Sequence, residues 1–269
     1  MVKHKINTTH ITKLDHSMSP QPNIALVTDA DMPIGRAIVL GLTRAGWRVA
    51  VHYGRDIRAA QITAAAADYL GHNASLVRCN LTDEVAVRAM LHDLQERIGR
   101  VNCVVNYGAL TEFDNAATFC ATRLDAHMAS HLTGPVILAR ALHAMTPANQ
   151  HSVVINLIDQ KLQQLQPDFL SYTLSHAALQ TATTLLAQAL APRTRVVGIA
   201  CDLLPRSGNV QGPLYAVGSK QSFNHASLSD MIAAVRFAAE SSAVTGSLLL
   251  VNGGQHLVPA QPAAAHRLS

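Results

Sequence analysis

Three polar side chains in the middle of the chain have the types and spacing needed to move a proton. Asp159 follows an apolar run, Tyr172 comes thirteen residues later, and His176 follows Tyr172 by four residues. Residues four apart share one helix face, so a helix starting near Phe169 would present the phenol and the imidazole together. A carboxylate at the carboxyl end of a strand and a tyrosine on the next helix meet where open α/β sheets bind ligands. The alternative is a strand, a loop and a core helix whose polar side chains are solvated.

The elements that would position these residues follow a regular alternation. Apolar runs of roughly four to eight residues predict buried strands, and seven such runs lie at 24–28, 48–53, 74–79, 102–106, 153–158, 195–200 and 247–251. Helices are predicted over 36–45, 57–70, 83–98, 123–145, 169–190 and 228–240. Strands that alternate with helices form a parallel sheet covered on both faces. The chain is therefore predicted to be an α/β protein with one doubly wound, Rossmann-like parallel sheet of about seven strands.

The composition favours a single domain and excludes several classes of protein. Hydrophobic residues make up 49% of the 269-residue chain and charged residues 14%, which suits one large core. We expect this domain over residues 23–258, with flexible tails at 1–22 and 259–269. No apolar run approaches the ~20 residues of a membrane span, and no basic cluster interleaves with aromatic residues as nucleic-acid binding requires. The four cysteines are far apart and are expected to be reduced thiols of a cytoplasmic protein.

The order of elements and several motifs resemble the classical short-chain dehydrogenase/reductase family over nearly the whole chain. Thr28 and Gly35 frame the turn after the first strand, Asn106 ends the fourth strand, and Asp159 precedes Tyr172 by the family's usual spacing. The ending VTGSLLLVNGGQHL resembles the family's closing strand and turn. An aspartate where most relatives have serine, together with HYGR after the second strand, resembles the pteridine reductase branch.

The resemblance implies an NADP(H)-dependent reductase that transfers a hydride to a small carbonyl or pterin-like substrate. Tyr172 would donate the proton, Asp159 would orient the tyrosine or the substrate, and His176 stands where the family has a lysine that holds the nicotinamide ribose. The resemblance also implies a homodimer or homotetramer packed partly through the helices near 123–145 and 170–190. Cofactor contacts are then expected from a larger set of residues: Thr28, Ile34, Gly35, Arg36, Arg55, Asn80, Leu81 and Asn106.

The glycine-rich loop departs from the family pattern. It reads TDADMPIG, with Asp29 and Pro33 in place of the first two glycines, so only Gly35 remains. Asp29 is expected to adopt the left-handed backbone that glycine would supply, which aspartate tolerates better than most residues. Asp29 and Asp31 bring negative charge toward a bound phosphate, and Pro33 removes one N–H donor. The affinity for a dinucleotide is therefore expected to fall.

The residues expected around the two ends of the cofactor are also altered. Arg55, with help from Arg36, would pair with the 2′-phosphate of NADP(H), although each is equally compatible with a solvated arginine. His176 is shorter than lysine and only partly charged near neutral pH, so it would lower the pKa of Tyr172 less reliably. His131 takes the place of the asparagine that the family has on its fourth helix.

Further histidines and aromatics admit weaker interpretations. His127 and His131 lie four apart and would suit a metal from one helix face, but no third ligand is evident, so we expect no metal and prefer helix-surface or site-lining histidines. The position of the aromatic residue that stacks on pterin in pteridine reductases is Thr111, with Phe113 close by. The segment that sets the substrate in the family, here 205–226, has no diagnostic residues.

Two classes of function remain open on this evidence. The first is the reductase, favoured by Tyr172, Asp159 and Arg55. The second is a non-catalytic relative that keeps the sheet for binding or assembly, favoured by Asp29, Pro33 and His176.

Overall fold

The computed structural model describes residues 23–71, 74–203 and 226–257. Within these ranges, seven strands form one parallel sheet in the order β3-β2-β1-β4-β5-β6-β7. The sheet is Rossmann-like, and its strands agree with the predicted runs to within a few residues at each end. The strands are β1 Ile24–Val27, β2 Arg48–His52, β3 Ser75–Val77, β4 Cys103–Asn106, β5 Ser152–Asp159, β6 Thr194–Cys201 and β7 Leu248–Leu250.

Helices cover both faces of the sheet, as predicted. One apolar core joins the sheet to α1, α2 and α7, through buried residues such as Ile38, Ala60 and Val235. A second core joins the opposite face to α3, α5 and α6, through residues such as Leu91 and Leu142. The helices are α1 Pro33–Arg44, α2 Ile57–Tyr69, α3 Glu84–Arg97, α4 Ala121–Met128, α5 Gly134–Met145, α6 Leu170–Leu190 and α7 Leu228–Glu240.

The strand order places a crevice between β1 and β4. From β1 the chain moves outward to β2 and β3, then returns to β4 on the other side of β1 and continues to β7. The connections therefore diverge at the carboxyl ends of β1 and β4, and this switch point is where ligands bind in open parallel sheets. Strand β5 lies directly beside β4 and extends past its end to Asp159, which pairs with β6.

The prediction of a single α-helix over 123–145 is wrong in one respect. A π-helical segment, Ala129–Thr133, separates α4 from α5, and the Gly134 amide bonds to the Ala129 carbonyl five residues back. Pro135 explains the interruption, because it has no N–H to donate to the carbonyl of His131 and its ring crowds that carbonyl. The start of α1 also differs from the prediction, since it begins at Pro33, and proline suits the first position of a helix.

Some predictions concern residues that lie outside the described ranges. These are the tails at 1–22 and 259–269 and all but the last residue of the irregular segment 205–226. Over the residues described, no helix has both the length and the apolar character needed to cross a membrane.

Candidate active site

Tyr172 and Asp159 form a direct contact at the carboxyl edge of the sheet. Asp159 is the last residue of β5 and Tyr172 is the third residue of α6. The Tyr172 hydroxyl donates to Asp159 Oδ2 at 2.8 Å, and the backbone N–H of Lys161 donates to Asp159 Oδ1 at 2.7 Å. Both side chains are 1% exposed. The structure thus brings together the phenol and the carboxylate that the thirteen-residue spacing singled out, with both carboxylate oxygens engaged.

Burial controls the protonation of this pair. Burial, followed by the charge of Asp159 and the hydrogen bond to it, raises the pKa of Tyr172 well above its usual value. Burial also raises the pKa of Asp159, against the opposing effect of the hydrogen bonds from Lys161 and Tyr172. Tyr172 therefore keeps its proton at neutral pH, which is the state that a proton donor requires.

His176 lies against Tyr172 and is held as a neutral imidazole. The centroid of its ring is 4.4 Å from that of Tyr172 and 4.5 Å from that of His131. Its Nδ1 accepts a hydrogen bond from the Asp159 backbone N–H at 3.4 Å, so in the neutral ring Nε2 carries the hydrogen. Burial, and then the neighbouring His131, lowers the pKa of His176 well below its usual value. The prediction that His176 is partly charged near neutral pH is therefore wrong.

His127 and His131 line the site, which agrees with the site-lining alternative. His131 Nδ1 lies 2.7 Å from Ser175 Oγ, and burial, then His127, lowers the pKa of His131 to about 3. His127 Nδ1 contacts the Arg123 carbonyl at 2.9 Å, so its Nε2 accepts the Glu112 backbone N–H at 3.3 Å. Among the residues described, no group of three or more His, Cys, Asp or Glu side chains has an arrangement that would hold a metal.

The start of α6 is capped by a residue that the sequence analysis missed. Asp114 is fully buried, and its carboxylate accepts from the Ser171 backbone N–H at 3.0 Å and from the Ser171 hydroxyl at 2.5 Å. The backbone carbonyl of Asp114 also accepts from the Phe169 N–H at 2.7 Å. Phe169, the residue before the helix, has φ 60° and provides no side-chain cap. Asp114 therefore fixes the helical turn that carries Tyr172, although it lies 57 residues away in the sequence.

Aromatic side chains form the rim beside Tyr172. Phe113 packs edge-to-face against Phe169 at 5.2 Å between ring centroids, and Phe169 is 6.3 Å from Tyr172. Phe113 is 53% exposed. The ammonium group of Lys161 lies 4.9 Å from the centroid of the Phe169 ring. The rim therefore offers flat apolar faces beside the buried phenol, and one cation lies against the Phe169 ring.

The crevice between β1 and β4 contains the carboxylate of Asp29. Asp29 has φ 46°, the left-handed backbone expected from the missing glycine. Its Oδ2 accepts the Ala109 backbone N–H at 2.9 Å, and its own N–H donates to Nδ1 of the buried His52 at 3.3 Å. Thr28 Oγ1 donates to the Tyr107 carbonyl at 3.0 Å and so links the residue after β1 to the residue after β4. Burial raises the pKa of Asp29, against the opposing hydrogen bond from Ala109.

The carboxylate of Asp31 accepts hydrogen bonds from two backbone N–H groups at the start of α2. Its Oδ2 accepts from the Arg55 N–H at 3.2 Å and from the Asp56 N–H at 2.9 Å. The side chains of Arg36 and Arg55, expected near a 2′-phosphate, are both exposed at this end of the crevice. Two backbone donors at this helix start, one of them the N–H of Arg55 itself, are therefore already bonded to a carboxylate.

The other residues expected to contact a cofactor serve the scaffold as well. Asn106 donates through Nδ2 to Asn156 Oδ1 at 2.8 Å, inside the sheet. Gly35 is required by packing, since a Cβ there would lie 2.5 Å from the Asp29 carbonyl oxygen. Ile34 is buried in the first turn of α1, Asn80 accepts the Thr82 hydroxyl at 2.8 Å, and Leu81 is partly buried near Gly134. Their roles toward a cofactor stay predictions.

Comparisons with known proteins define the family. Residues 23–206 match the model of the short chain dehydrogenase family, so the chain belongs to that family, whose members are nicotinamide-dependent oxidoreductases. The crystal structure of FolM alternative dihydrofolate reductase 1 from Brucella canis, complexed with NADP, is 35% identical and superposes with a TM-score of 0.81. The comparison covers 91% of this chain and 98% of that one.

Curated relatives agree with this assignment at lower identity. The 1-cyclohexenylcarbonyl-CoA reductase of Streptomyces collinus is 25% identical, over 87% of this chain and 87% of that protein. The oxidoreductase YgfF of Escherichia coli strain K12 is 27% identical, over 73% of this chain and 80% of that protein.

The two ends of the crevice differ in how well they suit the family's cofactor. At the nicotinamide end, His176 Nε2 is buried without a hydrogen-bond partner among the described residues, and as an N–H donor it suits a ribose hydroxyl. At the adenosine end, Asp29 and Asp31 occupy backbone donors with their own carboxylates. The residues therefore fit a dinucleotide, on the condition that these carboxylates are displaced or accommodated.

Proposed function

We propose that the protein is an NADP(H)-dependent reductase acting on a small carbonyl or pterin-like substrate. The observation that carries the proposal is the 2.8 Å contact between Tyr172 and Asp159 at the carboxyl edge of the sheet, beside the switch point. The 35% identity to a FolM structure complexed with NADP supports the choice of cofactor and of a pterin-like substrate. Arg55 and Arg36 are the side chains that would pair with the 2′-phosphate.

The chain's own residues supply the proton. When bound, the nicotinamide cofactor supplies the hydride. Tyr172 gives its hydroxyl proton to the substrate oxygen or nitrogen, and Asp159 orients that hydroxyl through Oδ2. After Tyr172 has given its proton to the substrate, Asp159 is suited to take a proton from solvent and pass it to Tyr172, because burial raises the pKa of this carboxyl. Because burial and the charge of Asp159 raise the pKa of Tyr172, the phenol is a weak acid, so turnover is expected to be slow.

His176 would hold the cofactor rather than activate the phenol. Its Nδ1 is already bonded to the Asp159 N–H, which leaves the Nε2–H free to donate to the nicotinamide ribose. A neutral donor of this kind replaces the hydrogen bond of the family's lysine but not its charge. This division explains how binding and proton transfer can be affected to different extents in this chain.

The aromatic rim supports a flat substrate. Phe113 and Phe169 present ring faces beside Tyr172, and aromatic rings prefer offset or edge-to-face contact with other planar groups. A pterin or another planar heteroaromatic compound would bury apolar surface there. A polar group on the substrate would meet the ammonium group of Lys161.

Titration of the purified protein with NADPH, followed by fluorescence or heat, tests the proposal. We expect binding that saturates, and then NADPH oxidation when a dihydropterin or an aromatic ketone is added. The Tyr172→Phe variant is the control, because it keeps the ring but has no proton to donate, so it is expected to bind without turning over. No binding at millimolar NADPH would exclude the reductase.

A second candidate function is favoured by the two carboxylates in the crevice. If Asp29 and Asp31 keep their hydrogen bonds in solution, the family fold is retained as a binding or assembly protein without turnover. The same titration distinguishes the two candidates. A protein that binds no dinucleotide and oxidises no NADPH with any substrate of the panel belongs to this second class.

We further propose that the protein forms a homodimer or homotetramer. The outer face of α6 supports this proposal, since Leu174 is 46% and Leu185 is 59% exposed and their spacing of about three turns places both on one side of the helix. Exposed apolar side chains in a row on one helix are typical of an interface between copies. Light scattering that gives the mass of a monomer would exclude it.

A further inference from the structure

We propose that Asp31 is a specificity-determining residue, which opposes Arg55 by competing with the 2′-phosphate of NADP(H) and by accepting a hydrogen bond from a free ribose 2′-hydroxyl. The inference rests on the proposed function for the class of ligand. It adds a prediction about which dinucleotide the crevice prefers and which residue decides it.

The competition follows from the hydrogen bonds at the start of α2. Asp56 caps the helix by accepting the N–H groups of Arg58 and Ala59, at 2.8 and 3.1 Å. Two further N–H groups of this turn, those of Arg55 and Asp56, donate to Asp31 Oδ2. These four amide donors therefore point at carboxylates of the chain itself, and a phosphate can use those of Arg55 and Asp56 only after Asp31 has left.

Charge repulsion adds to this competition for backbone N–H donors. A phosphate monoester carries roughly −1.5 to −2 charges at pH 7, and Asp29, Asp31 and Asp56 already bring three carboxylates to this part of the crevice. Arg55 is the cation that would offset them, but its side chain is exposed and so its attraction is screened by solvent. The 2′-phosphate therefore meets repulsion as well as occupied donors.

A free 2′-hydroxyl, unlike the 2′-phosphate, is favoured by the carboxylate of Asp31. Asp31 Oδ1 is buried and has no hydrogen-bond partner among the described residues. A buried carboxylate oxygen without a donor is costly, and a hydroxyl group that reaches it would supply one. Asp31 can accept this bond through Oδ1 while Oδ2 keeps the amides of Arg55 and Asp56. The same residue thus disfavours one dinucleotide and favours the other.

Calorimetric titration with NADP⁺ and NAD⁺ tests the proposal without requiring turnover. For Asp31→Ala, we expect the ratio of NADP⁺ to NAD⁺ affinity to rise by about tenfold or more, since charge-assisted hydrogen bonds contribute about 1.5–3 kcal/mol each. Asp31→Asn is the second variant, because it removes the charge but keeps an acceptor for the amides. Asp83→Ala is the matched control, since Asp83 caps α3 through the Val85 and Ala86 amides and leaves the ratio unchanged.

The outcomes separate this inference from the proposed function. If both dinucleotides bind and the ratio stays within about twofold of wild type in both variants, the inference is overturned and the reductase proposal stands. If NADP⁺ binds Asp31→Ala but not the wild type, the inference is supported and the wild-type protein is not an NADP(H) reductase. If neither dinucleotide binds any of the folded proteins, both proposals are overturned.

Discussion

Replacement of Asp114 by alanine tests whether the remote cap of α6 holds the active-site helix. The change removes the carboxylate that accepts the Ser171 N–H and hydroxyl, both fully buried, while the backbone contacts of residue 114 remain possible. Loss of a helix cap costs about 0.5–2 kcal/mol, and a buried polar group left without a partner costs about 1–3 kcal/mol. Because both effects involve the same contacts, we expect a total loss of about 2–4 kcal/mol rather than their full sum.

Urea unfolding followed by circular dichroism measures this loss as a shift of the midpoint at unchanged slope. Asp168→Ala is the matched control, because Asp168 is an exposed carboxylate close to the same helix start. That variant is expected to stay within about 0.5 kcal/mol of wild type, as is usual for surface substitutions. An Asp114→Ala protein that is as stable as the control would refute the idea that this carboxylate caps the helix.

Three further predictions concern the site itself. Tyr172→Phe is expected to lower the rate of NADPH oxidation by about 100-fold or more, as for loss of a general acid, with unchanged cofactor affinity; an equal loss of affinity would point to a structural role. His176→Lys is expected to raise any turnover, because a cation beside the phenol lowers its pKa; abolished turnover would show that His176 is misplaced in our scheme. Burial raises the pKa of Asp29, so its ionisation opposes folding as the pH rises through that raised value. The stability that Asp29→Asn gains over wild type is therefore expected to be larger at pH 8 than at pH 4 in urea titrations, and the reverse order would contradict the assignment.

The features that could be predicted from the sequence depend on short-range patterns. Alternating apolar runs and helical stretches determine the parallel sheet, because each buried strand must be followed by a covering helix. The contact between Asp159 and Tyr172 follows from one strand end and the next helix, which lie side by side in this topology. Pro135 could have indicated the interruption of the long helix, since proline removes a helical hydrogen bond.

The contacts that escaped prediction join residues far apart in the chain. Asp114 caps a helix 57 residues away, and Asp31 reaches from the loop after β1 to the amides of Arg55 and Asp56 after β2, so no local spacing identifies either role. The neutral state of His176 depends on its complete burial among other side chains, which composition does not reveal. Sequence reasoning indicated that Asp31 brings charge to the crevice, but not that it has taken up backbone donors there.

The π-helical turn between α4 and α5 makes this stretch sensitive to chain length as well as to residue identity. An α-helix turns by about 100° per residue, so the one extra residue in a π turn rotates everything before it by about that angle relative to everything after it. Deletion of a single residue from Ala129–Thr133 would remove this rotation and would swing His127 away from Tyr172. Insertions and deletions here are therefore expected to be far more harmful than in the exposed turns of the same molecule.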